Sequence, residues 1–169
     1  GEILARLHAA TNYAELGLRS QGSQDALAAL EQRYRDSGQV RPVFDYALRW
    51  LSDNLPKENK RVLLHGDFRN GNLIVGPDGI RSVLDWELAH IGPPAYDLAW
   101  LCVPSWRFQR PELPVGGFGS REDLLAGYEA AGGEPISLEE LHAWEVFHSM
   151  NWGTMCAGVA SSFLEGNRT

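Results

Sequence analysis

The chain has 169 residues, of which 44% are hydrophobic and 22% charged, and it carries a formal net charge of −7 at pH 7. This composition is typical of a globular domain that is long enough to bury a substantial core. The acidic charge disfavours a nucleic-acid or anionic-membrane partner, because both require a basic surface. No segment approaches the ~18 consecutive apolar residues of a membrane span. Cys102 and Cys156 lie far apart in apolar helical contexts, which predicts buried thiols in a reducing cytoplasm.

The two ends of the sequence resemble cuts through a longer protein. Gly1 opens the chain inside an amphipathic pattern without an initiator methionine, and Thr169 closely follows another helical run. We therefore expect residues 1–169 to form a single domain of a longer chain.

The N-terminal third of the sequence predicts three helices. Apolar residues recur at helical spacing over residues 2–10, residues 11–22 are polar and irregular, and residues 23–36 again follow a helical pattern. A third helix is expected to begin at Pro42, which suits a first turn, and to run until Pro56 ends it.

Short apolar runs predict β-strands in the middle of the chain. Residues 61–65 form one such run. Residues 73–75 and 80–84 flank a Gly-Pro-Asp-Gly turn and predict a β-hairpin. A further helix is expected to begin near Ala95.

The C-terminal part is predicted to be helical after a long loop rich in Pro and Gly, residues 103–119. Ser120 with Asp123, and Ser137 with Glu140, have the spacing of capping boxes and mark two helix starts. The second helix carries an apolar stripe that we expect to lie in the core, formed by Leu141, Trp144, Phe147, Trp152, Met155, Val159 and Phe163. The predicted fold class is mainly α (α+β), a helical body with one small β-hairpin sheet whose loops carry the chemistry.

The most informative segments are His-Gly-Asp-Phe-Arg-Asn-Gly-Asn, residues 65–72, and Val-Leu-Asp-Trp-Glu, residues 83–87. Asp67 and Asn72 lie five residues apart, and Asp85 lies thirteen residues beyond Asn72, across the predicted hairpin. A carboxylate can orient an attacking hydroxyl and take its proton. An amide oxygen and a carboxylate suit Mg²⁺, which binds hard oxygens with few protein ligands. The pattern indicates metal-assisted phosphoryl transfer, with Asp67 as the catalytic base and Asn72 and Asp85 as metal ligands.

Each of these three residues also has a structural alternative. Asp67 could satisfy the backbone amides of a tight Gly-Asp turn, Asn72 could cap a turn, and Asp85 could cap a helix. The combination of the two spacings favours chemistry over these alternatives.

The same segments resemble those of a known family. Their spacing is similar to that of the catalytic and metal-binding loops of protein kinases, with Asp-Trp-Glu in place of Asp-Phe-Gly. The closer resemblance is to aminoglycoside phosphotransferases and choline kinases, whose catalytic loop begins His-Gly-Asp. The Pro-Ala-Tyr-Asp-Leu-Ala-Trp segment, residues 94–100, matches together with both loops. Residues 106–108 and 114–122 resemble the branch related to phosphotransferases that are fused with acyl-CoA dehydrogenases.

This resemblance implies a protein-kinase-like C-terminal lobe and assigns roles around the base. It implies that His65 and Asp97 are structural and hold the catalytic loop. Arg69 could contact a phosphate or lie solvated at the surface. Glu87 could reach a second metal ion or the substrate, or it could form a salt bridge.

The resemblance also implies a nucleotide-binding lobe that residues 1–169 do not contain. Kinase-like enzymes hold ATP under a small N-terminal lobe with a lysine on the phosphates. The only lysines here, Lys57 and Lys60, lie in a polar link, and there is no Walker motif. We therefore expect the chain to be the C-terminal lobe alone, inactive as an isolated fragment, with the missing N-terminal lobe of its parent chain as its partner.

Three function classes compete. The leading one is an ATP- and Mg²⁺-dependent phosphotransferase that acts on a hydroxyl of a small molecule. The others are a kinase-like module that only binds, and a metal-dependent phosphoesterase, which would need several more His and Asp ligands. One hypothesis for the acceptor is a cationic compound, because carboxylates and indole rings together suit a cation; the residues concerned are Glu87, Glu145, Trp144 and Trp152.

Overall fold

Six α-helices and four short β-strands are present in the computed structural model, which describes residues 1–57 and 60–164. The helices are α1 (Glu2–His8), α2 (Ser23–Asp36), α3 (Pro42–Asn54), α4 (Ala95–Leu101), α5 (Arg121–Ala130) and α6 (Leu138–Leu164). The strands are β1 (Val62–Leu64), β2 (Leu73–Gly76), β3 (Gly79–Val83) and β4 (His90–Gly92). Residues 58–59 of the predicted polar link and residues 165–169 of the predicted domain lie outside the described residues.

Several helices begin where local sequence signals predict. Pro42 occupies the first turn of α3. The Ser120 hydroxyl accepts the N–H of Asp123 at 3.0 Å, and the Ser137 hydroxyl accepts the N–H of Glu140 at 3.1 Å. These bonds satisfy amides that the first turn of a helix leaves without an internal partner. The predicted starts of α3, α5 and α6 are therefore confirmed.

The strands form two antiparallel pairs. β2 and β3 form the predicted hairpin, with Leu73 opposite Val83. β1 instead pairs with β4, with Leu63 opposite Ile91. The strands thus divide between two small sheets, where the sequence predicted one. β4 was not predicted, because its three residues carry too short a pattern. The segment is extended through its pairing with β1 and through backbone hydrogen bonds of Ile91 with Arg19 and Gln21.

The helix α4 lies in the core and carries one of the candidate site residues. It packs against α6, which also packs against α2 and α3, while α1 packs against α5 and β1. Leu98 and Ala99 of α4 are fully buried, as are Leu141 and Trp144 of α6. Burying a leucine side chain stabilises a fold by ~1.5–3 kcal/mol. The helix that carries Asp97 is therefore held firmly in place.

Only the first half of α6 lies in the core. The stripe residues from Leu141 to Phe147 are buried, whereas Met155, Val159 and Phe163 are between 41% and 67% exposed. The predicted core position is wrong for this second half, because the 27-residue helix is longer than the 13 residues of α3 and the 7 residues of α4 that pack on it. Despite this length, no helix in the described part of the chain is apolar enough to cross a membrane.

The two cysteines are both free thiols, but their surroundings differ. Cys102 is buried in the core, and this burial raises its pKa to about 12. Cys156 lies on the exposed half of α6, so the prediction that it is buried is wrong.

Candidate active site

The loop that follows β1 is held by Asp97. The carboxylate of this fully buried residue accepts the N–H groups of His65, at 2.7 Å, and of Gly66, at 2.9 Å. Gly66 has a φ of 85°, and a Cβ there would collide with the carbonyl oxygen of Leu88, so the turn requires glycine. Burial disfavours the charged carboxylate, but hydrogen bonds from His8 and from the two amides outweigh this effect and lower the pKa of Asp97.

Three side-chain donors orient the carboxylate of Asp67, the next residue along this loop. Its Oδ1 accepts the indole N–H of Trp100 at 2.7 Å, and its Oδ2 accepts Nδ2 of Asn72 at 2.6 Å. Nε of Arg69 donates to Oδ1 at 3.2 Å. The Asp67 side chain keeps 14% of its surface exposed. The carboxylate is therefore fixed in direction and still reachable, which is what a base that serves a hydroxyl needs.

His65 joins the loop that follows β1 to the loop that follows β3. Its Nδ1 accepts the N–H of Asp67 at 3.1 Å, so the ring proton lies on Nε2, which donates to the carbonyl oxygen of Leu84 at 2.9 Å. The buried ring also meets Trp86 edge to face, with ring centroids 4.6 Å apart. Nδ1 is thus bonded within its own loop, and Nε2 connects that loop to the one that follows β3.

The backbone brings Asn72 close to the residue before Asp85. The N–H of Leu84 donates to the carbonyl oxygen of Asn72 at 2.8 Å. Nδ2 of Asn72 bonds to Asp67, which leaves the amide oxygen for another ligand. Asp85 is exposed and has a φ of 65°, a left-handed conformation that is rare outside glycine and that clusters at functional sites. An amide oxygen and an exposed carboxylate are donors that Mg²⁺ accepts, so these residues fit the predicted ion.

Two residues that the sequence analysis did not single out also shape the site. Trp100 lies three residues after Asp97 on α4, and residues at this spacing share a helix face. That spacing is the signal that could have identified it. Nδ2 of Asn70 donates to the carbonyl oxygens of Trp106, at 3.2 Å, and of Gly116, at 3.0 Å. Asn70 therefore ties the loop that follows β1 to the long loop that precedes α5.

Arg69 and Glu87 lie in different environments. The Arg69 guanidinium borders Asp67 and lies over the ring of Trp106, 5.0 Å from its centroid. Glu87 is exposed, and it forms no salt bridge within the described part of the chain. The alternative that Glu87 forms a structural salt bridge is therefore not supported by the described residues.

The predicted acidic and aromatic pocket for a cation does not form. Glu145 is bound by Arg107 at 2.7 Å and by Arg121 at 2.8 Å, so its charge is already neutralised. Trp144 is fully buried in the core, where it offers no ring face to a ligand. The hypothesis of a cationic acceptor is therefore wrong for Glu145 and Trp144, because both side chains are used inside the protein, whereas Glu87 is exposed.

A loop braced by Asp97, a hairpin and an acidic loop after it make up an arrangement typical of the protein-kinase-like fold. Residues 1–136 match the APH family, described as the phosphotransferase enzyme family, and the chain belongs to that family. This match confirms the family resemblance that the His-Gly-Asp and Asp-Trp-Glu segments predict.

Solved structures share the fold. A Ralstonia eutropha protein assigned to the aminoglycoside phosphotransferases has a TM-score of 0.78 and 22% identity, and the match covers 99% of this chain and 55% of that one. The choline kinase LicA from Streptococcus pneumoniae has a TM-score of 0.61 and 20% identity, with coverage of 95% and 52%. A structure of LicA in complex with AMP matches equally well. These matches confirm the predicted mainly α, protein-kinase-like fold.

A sequence relative confirms the resemblance to the acyl-CoA-dehydrogenase branch. Acyl-CoA dehydrogenase family member 11 of Pongo abelii is 32% identical over 188 residues, which cover 99% of this chain and 24% of that protein. The chain therefore spans about a quarter of the length of this relative and about half of the two structural relatives.

Proposed function

We propose that this chain is the catalytic lobe of an ATP- and Mg²⁺-dependent phosphotransferase that moves the γ-phosphoryl group of ATP to a hydroxyl of a small molecule. The observation that carries the proposal is the Asp67 carboxylate, which Trp100 and Asn72 orient while part of it stays exposed. Its partners among the described residues are side chains, and it accepts no backbone N–H from them. This disfavours the alternative that Asp67 serves only to satisfy a turn.

In the proposed reaction, Asp67 accepts the proton of the acceptor hydroxyl. The hydroxyl oxygen forms a bond to the γ-phosphorus while the bond between that phosphorus and the bridging oxygen of ADP breaks. The products are a phosphate ester and ADP. Bound Mg²⁺ would neutralise charge on the phosphate oxygens, and Asn72 and Asp85 would hold it.

Arg69 and Glu87 have further roles in this proposal. Arg69 donates to Asp67 through Nε, which leaves its terminal amino groups for an oxygen of the transferred phosphate. Glu87 lies two residues after Asp85 and is exposed, so it can reach a second metal ion or the acceptor.

An N-terminal lobe in the complete protein would finish the ATP site. This part of the proposal is supported by the length of the structural relatives, of which the chain spans about half, and by the AMP bound to one of them. The hairpin and the loop after it also expose apolar side chains that a second lobe would cover: Ile74, Val75, Ile80, Leu84, Trp86 and Leu88. The free thiols support a cytoplasmic location.

The other two function classes have less support. A module that only binds has no need for an oriented carboxylate beside two oxygen ligands. A two-metal phosphoesterase requires several His and Asp ligands, and within residues 1–57 and 60–164 no group of three or more His, Cys, Asp or Glu side chains is placed to hold a metal ion.

Transfer of labelled γ-phosphate from ATP to a panel of hydroxyl compounds tests the proposal. The complete protein is assayed with Mg²⁺ beside its Asp67→Asn variant, and the matched control is Asp53→Asn, an exposed residue of α3. We expect the first substitution to lower transfer by about 10²–10⁴-fold, the contribution of a general base. The control should transfer at the wild-type rate.

Each other outcome favours another function. Binding of Mg-ATP without transfer to any compound would favour the binding module. Release of phosphate from simple esters without ATP would favour the phosphoesterase. A complete protein that does not bind Mg-ATP would contradict the proposal.

A further inference from the structure

A buried polar chain runs from α5 through α1 to the brace of the catalytic loop. The ring nitrogen Nδ1 of His8 lies 2.9 Å from the hydroxyl of Tyr128, and Nε2 lies 3.4 Å from Oδ2 of Asp97. All three side chains are buried. Asp97 in turn holds the amides of His65 and Gly66, so α4, α1 and the loop after β1 meet at one carboxylate, which α5 reaches through His8.

The chemistry of the three groups sets the direction of these bonds. An ionised carboxylate only accepts, so Nε2 of His8 carries the proton that Asp97 accepts. In a neutral imidazole Nδ1 is then an acceptor, and it takes the hydroxyl proton of Tyr128. The ring of His8 also meets the ring of Tyr128 edge to face, with centroids 5.5 Å apart. Tyr128 therefore holds the His8 ring with Nε2 turned toward Asp97.

Packing alone does not account for these residue types. A leucine and a phenylalanine would fill the same space without the desolvation that buried polar groups incur. What the polar pair adds is a third donor on Asp97, beside the two backbone amides. A carboxylate that accepts hydrogen bonds from several directions has little freedom to rotate. The backbone N–H groups that Asp97 accepts belong to the two residues immediately before Asp67.

We infer that His8 and Tyr128 are positioning residues for Asp67, acting through Asp97 and the catalytic loop. This inference rests on the proposed phosphotransfer function. Without His8, Asp97 would still accept the two amides but would lose one of its restraints. The Asp67 carboxylate would then spend less time in the reactive orientation, which lowers kcat and leaves the binding of both substrates unchanged.

Three variants of the complete protein test this inference. His8→Leu removes both bonds, Tyr128→Phe removes one hydroxyl in an otherwise equal ring, and His8→Gln restores a donor that can reach Asp97. Loss of a supporting residue commonly lowers activity by about 10–100-fold. We expect kcat to fall by ~10-fold or more in His8→Leu and by less in Tyr128→Phe, with KM for ATP and acceptor within about 2-fold. His8→Gln should recover most of kcat.

A control separates positioning from general loss of stability. Leu51→Ala opens a cavity at a fully buried position of α3, a helix that packs on α2 and α6 and carries no member of the polar chain. If it lowers kcat as much as His8→Leu at an equal loss of stability, or if His8→Gln recovers nothing, the inference is overturned. Should His8→Leu fail to fold, the isosteric Tyr128→Phe decides, and an unchanged kcat in that variant contradicts the inference.

A second readout does not depend on catalysis. Hydrogen exchange of the His65 and Gly66 amides is measured in the complete protein without substrates. We expect both amides to exchange faster in His8→Leu and in Tyr128→Phe. In Leu51→Ala, they should exchange no faster than the lower free energy of unfolding of that variant accounts for. If the two amides exchange faster in the variants but the wild-type protein transfers no phosphate, the proposed function is refuted and the positioning of the loop is supported. Unchanged exchange would refute the positioning itself.

Discussion

The two acidic loops of the candidate site are held in opposite ways. The carboxylate of Asp67 is bound by three side chains, and the amides just before it bind to the buried Asp97. The carboxylate of Asp85 is exposed, and its backbone is left-handed. Within the described residues Asp85 forms no salt bridge.

This difference fits the proposed roles, in which the protein itself orients the base and leaves the Asp85 carboxylate exposed to the proposed metal ion. A base is effective when its direction is fixed before the substrate arrives, because no reorganisation is then needed during the reaction. A carboxylate that binds a divalent cation is better left without a charged side-chain partner, since a lysine or arginine bound to it would compete with the metal ion. The comparison predicts that substitutions around the two carboxylates will affect stability and activity differently.

The largest effect on activity, with almost no effect on stability, is expected for Asp85→Asn. Asparagine tolerates the left-handed backbone, but it lacks the charge that would hold the proposed Mg²⁺. We expect phosphoryl transfer to fall by about 10³-fold, or ~4 kcal/mol of activation free energy, while the free energy of unfolding changes by less than ~0.5 kcal/mol. Labelled-phosphate transfer and urea unfolding measure the two effects. Chelation of the metal should abolish transfer in the wild type, and wild-type activity in Asp85→Asn would contradict its assignment as a ligand.

The next effect is expected for Asp97→Asn, at the residue that holds the loop of the proposed base. The amide group of asparagine would face a backbone N–H with its own donor, and a hydrogen bond to a charged group contributes ~1.5–3 kcal/mol. We expect the free energy of unfolding to fall by about 3 kcal/mol, and kcat to fall with it. Urea unfolding beside the exposed control Asp53→Asn measures this loss. Equal stability of the two variants would show that the brace is not needed for folding.

A smaller effect is expected for Trp100→Phe. Phenylalanine keeps an aromatic ring beside Trp106, whose ring centroid lies 5.2 Å from that of Trp100, but it removes the N–H that binds Asp67. We expect kcat to fall by about 10-fold, equivalent to ~1.4 kcal/mol, with little change in KM. Steady-state kinetics beside Trp50→Phe, a tryptophan of α3, checks this. If both variants have the same kcat, the indole does not orient the base.

The smallest effect concerns how the free energy of unfolding depends on pH through the buried side chain of His148. Burial lowers the pKa of His148 from 6.5 to about 3, and its Nε2 donates to the carbonyl oxygen of Tyr96 on α4. Between these pH values the unfolded chain binds a proton that the native protein does not, so stability rises with pH. His148 should remove about 1 kcal/mol of stability between pH 6.5 and 5.5.

The measurement for His148 is urea unfolding at several pH values in the wild type and in His148→Gln. The variant should lose stability less steeply as the pH falls from 6.5. His90, whose pKa burial also lowers, is present in both proteins and therefore cancels. Parallel curves for the two proteins would contradict the prediction.

Local sequence signals were sufficient for much of the fold. The starts of α3, α5 and α6 follow from Pro42, Ser120 and Ser137, because a helix cap depends on residues within one turn. The hairpin of β2 and β3 follows from its Gly-Pro-Asp-Gly turn. β4 could not be predicted in this way, since its extended form depends on partners far earlier in the chain, such as Leu63, which pairs with Ile91.

The sequence by itself determined the family, the order of the helices and the candidate residues Asp67, Asn72 and Asp85, because these depend on spacings along a short segment. Only the tertiary structure decided which side chains surround them. The bond from Trp100 to Asp67 joins residues 33 positions apart, and the pairing of Glu145 with Arg121 spans 24 positions. Such contacts depend on how the helices pack around a shared core, and no local pattern records that packing.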